Sequence, residues 1–218
     1  MRLRDRTLLP KGLHLPAALV AVLATATVAV LALKYAGDSV PGRVDGHLDR
    51  AVDALPATGH GIARAAIVFG SPEIVGVAAV AVALVCLLAR SPRAAVFAVA
   101  GPGLTGVATT LGKPLVDRTI GYSGGLAFPS GHTGGATSLA LVVALLLAAS
   151  LRLGASGTAA LAGACAVLVG GAVGTGMVML GSHYPTDVVG GFCTAVAAVL
   201  AVALALDATV VRRAPAPV

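Results

Sequence analysis

The sequence predicts an all-α membrane protein, a bundle of six spanning helices with one short amphipathic helix outside the bilayer. Three observations carry that prediction. Apolar residues make up 57% of the 218 and charged residues 11%, against roughly 25% charged in a soluble domain. Six apolar runs approach or exceed the about 18 residues that cross a bilayer as a helix: Leu15–Leu33, Ile74–Ala89, Ala94–Leu111, Gly134–Leu151, Thr158–Leu180 and Val188–Leu206. Basic residues then gather in alternate connections, as the positive-inside rule requires of a multi-pass chain.

Residues 1–14 form a basic tail with Arg2, Arg4, Arg6 and Lys11. The first apolar run is longer than a signal-peptide core, and Ala32-Leu33-Lys34 is a poor cleavage site, so an uncleaved helix is expected. A segment of about 30 residues follows, broken by Pro41-Gly42 and Pro56. Within it Val44, Leu48, Val52 and Leu55 share one helical face, while Asp45, Asp49, Arg50 and Asp53 lie elsewhere. Such a helix lies on the membrane surface or packs over the mouth of the bundle. His47 and His60 fall in this segment as solvated loop histidines. The second run is short and is expected to begin upstream, near Ala65. Arg90-Ser91-Pro92-Arg93 is a tight turn. Gly101-Pro102-Gly103 predicts a kink in the third helix. Residues 112–132 read as a Gly- and Pro-containing loop, and Leu151–Gly157 as a short turn. Gly170, Gly171, Gly174 and Gly176 let the fifth helix pack closely. The expected organisation is thus a cytoplasmic tail over 1–14, one membrane domain over 15–206 and a second cytoplasmic tail over 207–218, the last part disordered. Cys86, Cys165 and Cys193 all fall within apolar runs without metal-ligand spacing and read as core residues.

The net charge of +6 does not point to nucleic acid, because of how it is distributed. With the N-terminus inside, cytoplasmic segments hold Arg2, Arg4, Arg6, Lys11, Arg90, Arg93, Arg152, Arg212 and Arg213, opposed only by Asp5 and Asp207. The outer segments hold six cations and seven acids. The excess reports topology and anionic headgroups, with both termini cytoplasmic.

The remaining polar chemistry gathers at the outer ends of helices three to six. Ser130 can cap the fourth helix, whose free N–H groups suit a phosphate, and His132 in the first turn can donate a proton to a leaving oxygen. Alone, this is an ordinary Ser cap beside an interfacial histidine. His183 and Asp187 are four residues apart, so they share a face if the sixth helix begins there. Asp187 can then hold the proton on one ring nitrogen and free the other as a nucleophile. A polar pair beside a membrane core is costly unless it works. Lys113 and Arg118 can neutralise phosphate oxygens, or simply anchor a helix end at the interface.

With these residues in place, the chain resembles the type 2 phosphatidic acid phosphatase family, the lipid phosphate phosphatases related to vanadium haloperoxidases. That family carries three motifs on a six-helix membrane core: Lys, six residues, then Arg-Pro; Pro-Ser-Gly-His; and Ser-Arg, five residues, His, three residues, Asp. Here Pro129-Ser130-Gly131-His132 is complete, as is the His-x-x-x-Asp of His183 and Asp187. The resemblance implies that His183 is the nucleophile, forming a phosphohistidine, that Asp187 orients it, and that His132 is the general acid. It assigns the phosphoryl oxygens to Lys113, Ser130 and the backbone of Gly131. It implies neither metal nor cofactor. Phosphatidic acid, phosphatidylglycerophosphate and polyprenyl diphosphate all remain open as substrate, as does the oligomeric state.

Two departures stand out. The Arg-Pro expected after Lys113 is replaced by Ile120-Gly121, and the Ser-Arg ahead of His183 by Gly176-Met177. Arg118 lies two residues early and is expected to substitute for the first missing arginine as a phosphate ligand. One lost charge-assisted contact is worth roughly 1.5–3 kcal/mol, or about one to two decades in phosphate binding. A degenerate, non-catalytic relative that binds lipid phosphates is therefore the alternative. A proton-relay transporter is disfavoured, because the ionisable groups lie at span ends and no inverted repeat is visible.

Overall fold

The computed structural model describes residues 7–54, 59–121 and 125–211. It contains eight α-helices among them: α1 (His14–Tyr35), α2 (Arg43–Asp53), α3 (Gly59–Phe69), α4 (Pro72–Leu88), α5 (Pro92–Val116), α6 (Gly131–Leu151), α7 (Ala155–Met179) and α8 (Pro185–Val211). Five are long and apolar enough to cross a membrane, and α3 with α4, bent by 54° at a short break, makes a sixth span if taken together. The expected upstream start of the second span is thus a separate helix. The break falls at Gly70-Ser71-Pro72, where Ser71 caps α4 and proline occupies its first turn. Gly70 has a second reason to be glycine. A Cβ there would stand 2.7 Å from the His132 carbonyl oxygen, so the bend admits the backbone of α6.

Helix α8 is the centre of the bundle, packed against α1, α5 and α6, while α7 pairs with α6 and α3. The core gathers Phe97, Ala98, Val142, Leu145, Val199 and Ala203, each at most 1% exposed. Burying such side chains from water is worth about 1.5–3 kcal/mol each, but inside a bilayer the gain comes from close packing instead. Gly191 shows how close: a Cβ there would be 2.2 Å from the Ser130 carbonyl oxygen. Helix α5 runs unbroken through Pro102 and Pro114. Cys86 is buried, and Cys165 and Cys193 are half-buried, all as free thiols.

Three features differ from the sequence reading. Residues 7–13 are bound to the bundle: Leu8 and Leu9 are buried, and Lys11–Leu13 form a 3₁₀ turn leading into α1. Helix α8 continues past position 206 to Val211. The loop between α5 and α6 contains a two-stranded antiparallel ladder, β1 (Thr119–Ile120) on β2 (Gly125–Leu126), too short for periodicity to reveal. Helix α2 forms where amphipathicity placed it and packs against α7 and α8. It turns Asp45 inward and leaves Val44 and Leu48 exposed. Leu55 and Pro56 of that segment and the terminal residues 212–218 lie outside the described residues.

Candidate active site

Three connections meet at one end of the bundle, and local chemistry dictates each. Helix α6 starts at Ser130, whose Oγ accepts the Thr133 N–H at 3.4 Å and donates to Thr133 Oγ1 at 3.1 Å. This is the expected cap. The Ser130 N–H donates to the Asp187 carbonyl at 3.0 Å, so the starts of α6 and α8 are tied backbone to backbone. Helix α7 ends at Met179, and Gly181 just beyond it lies in the left-handed region at φ 63°, with the Ser182 N–H returning to the Met177 carbonyl at 2.9 Å. His183 follows in the turn, and α8 begins only at Pro185. The His183–Asp187 pair is therefore made by a turn running into a helix start, not by one helix face. Its Nδ1 lies 3.6 Å from Asp187 Oδ2, beyond hydrogen-bond range, and Nδ1 has no other hydrogen-bond partner among the described residues. His183 itself is buried, 7% exposed.

Lys113, on the last turn of α5, donates from Nζ to the Leu126 carbonyl at 3.0 Å and so ties β2 to α5. It lies within electrostatic range of Asp187. His132 lies within range of His183, Lys113 and Glu73. Lys113, Gly131 and His132 line the head of a cleft of about 540 Å³. The cleft continues between α4 and α5 over apolar surface that includes Val75, Ala79, Val80 and Val99. Thr109 and Thr110, which sequence reasoning passed over, also line it. Ser130 does not line it and is fully buried beneath its cap.

Arg118 has partners other than the phosphate contact expected of it. Asp117 ends α5 in the left-handed conformation, φ 53°, which aspartate tolerates better than most residues. The chain reverses there, and Arg118 is carried into the protein, 0% exposed. Its Nη1 donates to Thr186 Oγ1 at 2.7 Å and to Asp187 Oδ1 at 2.5 Å; its Nη2 donates to Asp45 Oδ2 at 2.7 Å. The guanidinium is sandwiched between the rings of Tyr35, at 4.1 Å, and Tyr184, at 4.6 Å. Two carboxylates close by are a stronger attraction for a buried cation than an intermittent ligand. Asp45 also accepts the Thr186 N–H on Oδ1 at 2.9 Å and the Gly42 N–H on Oδ2 at 3.1 Å. Burial alone would raise the Asp45 pKa, but the hydrogen bonds from Thr186, Arg118 and Gly42 outweigh it and hold the carboxyl below its ordinary value.

Sequence reasoning missed Asp45, Tyr35, Tyr184 and Thr186. The last two lie inside the His183–Asp187 stretch and could have been noticed there. Asp45 and Tyr35 had no local signal. His47 pairs with Arg50, Nδ1 to Nη2 at 2.7 Å. Met177, at the position of the family's second arginine, is buried in an apolar cluster with Ala136 and Val173.

No curated protein sequence matches the chain. Among solved structures it is similar to the crystal structure of a transmembrane PAP2-type phosphatidylglycerolphosphate phosphatase from Bacillus subtilis, with 16% identity and a TM-score of 0.66 over 87% of this chain and 96% of that one. At that identity the likeness speaks for the fold. The PAP2 superfamily matches residues 74–209, which takes in Lys113, the Pro-Ser-Gly-His motif and the His183–Asp187 pair, and the chain belongs to that superfamily.

Proposed function

We propose that this membrane protein is a metal-independent phosphatase that hydrolyses a lipid phosphate through a phosphohistidine. The observation that carries the reading is a cleft headed by Lys113, Gly131 and His132 with largely apolar remaining walls, beside which the His183–Asp187 pair lies within electrostatic range of His132 and Lys113 without lining the cleft itself. A phosphate monoester of a lipid has that same division between a charged head and an apolar body.

In this reading Lys113 and the free N–H groups at the start of α6 hold the phosphoryl oxygens. His183 Nε2 attacks phosphorus as the P–O bond to the leaving group breaks, and His132 gives its proton to the leaving oxygen, which belongs to an alcohol for a monoester and to a lipid phosphate for a diphosphate. His183 becomes positively charged as the N–P bond forms, and Asp187 Oδ2 stabilises it through Nδ1–H. The 3.6 Å separation is of the kind that tightens when substrate binds. Water then attacks phosphorus, His132 takes its proton, the N–P bond breaks and inorganic phosphate leaves. Phosphatidic acid, phosphatidylglycerophosphate and polyprenyl diphosphate form the substrate panel. The site belongs on the outer face of the cell membrane, with both termini cytoplasmic, as the basic connections at Arg90, Arg93 and Arg152 suggest.

Phosphate release from that lipid panel by purified protein, with EDTA present and His183→Ala as control, tests the chemistry. Turnover that needs added Mg²⁺ refutes the mechanism. The sidedness is tested by single cysteines in a background lacking native ones: Ser39→Cys should react with an impermeant reagent from outside, and Ser156→Cys should not. A second reading, a lipid-phosphate binder without turnover, is favoured by one observation. Among the described residues Lys113 is the one Lys or Arg in the cleft lining, and Met177, packed among apolar side chains, supplies no second cation. Binding of the same lipids without phosphate release would select it.

A further inference from the structure

Arg118 joins two stretches of the chain, 35–45 and 184–187, that are each remote from it in sequence. Asp45 comes from α2, Tyr35 from the end of α1, Thr186 and Asp187 from the start of α8, and Tyr184 from the turn that carries His183. Both of its Nη atoms are committed and the residue is fully buried. It is absent from the cleft lining, as are His183 and Asp187, whereas Lys113 and His132 are present. Gly42 sits against the outer ring of the sandwich, since a Cβ there would meet Tyr35 Cε1 at 2.8 Å. These contacts give each oxygen of Asp187 a distinct task. Oδ1 is taken by Arg118 at 2.5 Å. Oδ2 accepts the Tyr184 N–H at 2.9 Å and faces His183 Nδ1.

We propose that Arg118 is a positioning residue and not a phosphate ligand: held by Asp45 of α2 and stacked between Tyr35 and Tyr184, it fixes the Asp187 carboxylate so that Oδ2 faces His183. The proposal rests on the reading of His183 as nucleophile. Two carboxylates and one guanidinium leave a formal charge of −1 in the cluster. That charge is complementary to the imidazolium that forms when His183 carries a phosphoryl group. Helix α2 thereby belongs to the catalytic machinery at one remove, since Asp45 reaches Asp187 only through Arg118 and Thr186.

The test compares Arg118→Lys, which keeps the charge but loses the two-sided fork, with Asp45→Asn, which keeps the shape and lies one contact further away. Thermal unfolding of both variants in detergent establishes that they are folded, and Asp45→Asn still reports should Arg118→Lys fail to fold. Phosphate release should show kcat lowered about 100-fold in Arg118→Lys and about 10-fold in Asp45→Asn, the scale of a misplaced catalytic group. KM and the inhibition constant of inorganic phosphate should stay within about two-fold of the parent. In parallel, ¹⁵N NMR of the histidine side chains, with His183→Ala to assign the signal, should show the His183 tautomer altered in both variants. A higher KM and a weaker inhibition by phosphate with kcat kept would make Arg118 a phosphate ligand and overturn the proposal. So would an unchanged His183 signal. A parent with no turnover but with a His183 signal that responds to both variants would sink the phosphatase reading and leave the positioning role standing.

Discussion

Helix α8 carries a buried carboxylate near each end, and the two are surrounded by the same kinds of residue. Asp187 has an arginine, a histidine and a backbone N–H around it: Arg118, His183 and Tyr184. Asp207 has Arg93, His14 and two backbone N–H groups, those of Leu8 at 2.7 Å and Leu9 at 2.9 Å. The difference lies in closure. His14 Nε2 reaches Asp207 at 3.3 Å, and the cluster fastens the start of the chain to the end of the bundle. His183 Nδ1 stops 3.6 Å from Asp187, without another hydrogen bond among the described residues. It also lies within the field of His132, which lines the cleft. A buried Asp–Arg–His group is therefore not in itself a sign of catalysis. A histidine held out of hydrogen-bond range of its carboxylate, close to a second histidine that lines a cleft, is the more telling feature, because buried polar groups are normally satisfied.

The sharpest way to break this comparison is to remove the two histidines. With His183 as the proposed nucleophile, His183→Ala should reduce phosphate release by at least about 10⁴-fold. His14→Ala should leave the activity of the folded protein within about two-fold. Equal losses from both would mean that the two clusters share a structural role. Removing the carboxylates should separate the ends in the opposite sense. Asp207→Ala removes one acceptor from Arg93 and from two N–H groups, and losing one partner of a buried pair costs roughly 3–5 kcal/mol. Arg93 is 14% exposed, so water softens the loss toward the lower figure. The expected result is a lower unfolding temperature in detergent with kcat little changed at a permissive temperature. Asp187→Ala should lower kcat by at least about 100-fold even where the protein remains folded.

What the sequence made legible follows from the range of the interactions involved. The spanning helices could be read because the bilayer fixes how long an apolar run must be. His183 and Asp187 could be read because their spacing is local. Arg118 was visible as a cation near the site, but its partner Asp45 lies 73 positions away, and the apolar stripe of Val44 and Leu48 gave no hint that the polar face of α2 is the buried one. The Asp207 cluster was illegible for the same reason, its partners Leu8 and Leu9 lying 199 and 198 positions distant. Neither the sign of a charge nor the period of a helix specifies a partner that far along the chain.

A smaller effect concerns Met177, where the family's motif has arginine. The position is 4% exposed and packed with Ala136, Val173, Ala66, Ile67 and Val188. Met177→Arg brings a cation into that cluster without a carboxylate, and an unpaired buried charge is costly. The change should lower the unfolding temperature without raising kcat/KM. A gain in activity at unchanged stability would show instead that the side chain reaches the phosphate, and that the polar end of the bundle rearranges more freely than its dense contacts suggest.

The smallest effect expected is in the acid dependence of stability, and it singles out the polar end. The folded-state pKa of Asp45 is held below its ordinary value by Thr186, Arg118 and Gly42 despite burial. A carboxylate whose folded pKa is depressed contributes stability that is fully present above its unfolded pKa, about 3.9. That contribution is lost as pH falls through the folded value. The parent should therefore lose unfolding temperature below about pH 4. Asp45→Asn should start from a lower unfolding temperature at pH 7 and fall less steeply through that window, so that the two curves converge in acid. Parallel curves for parent and variant would mean that Asp45 gains as much from its partners when protonated, and that its charge is not what holds Arg118 in place.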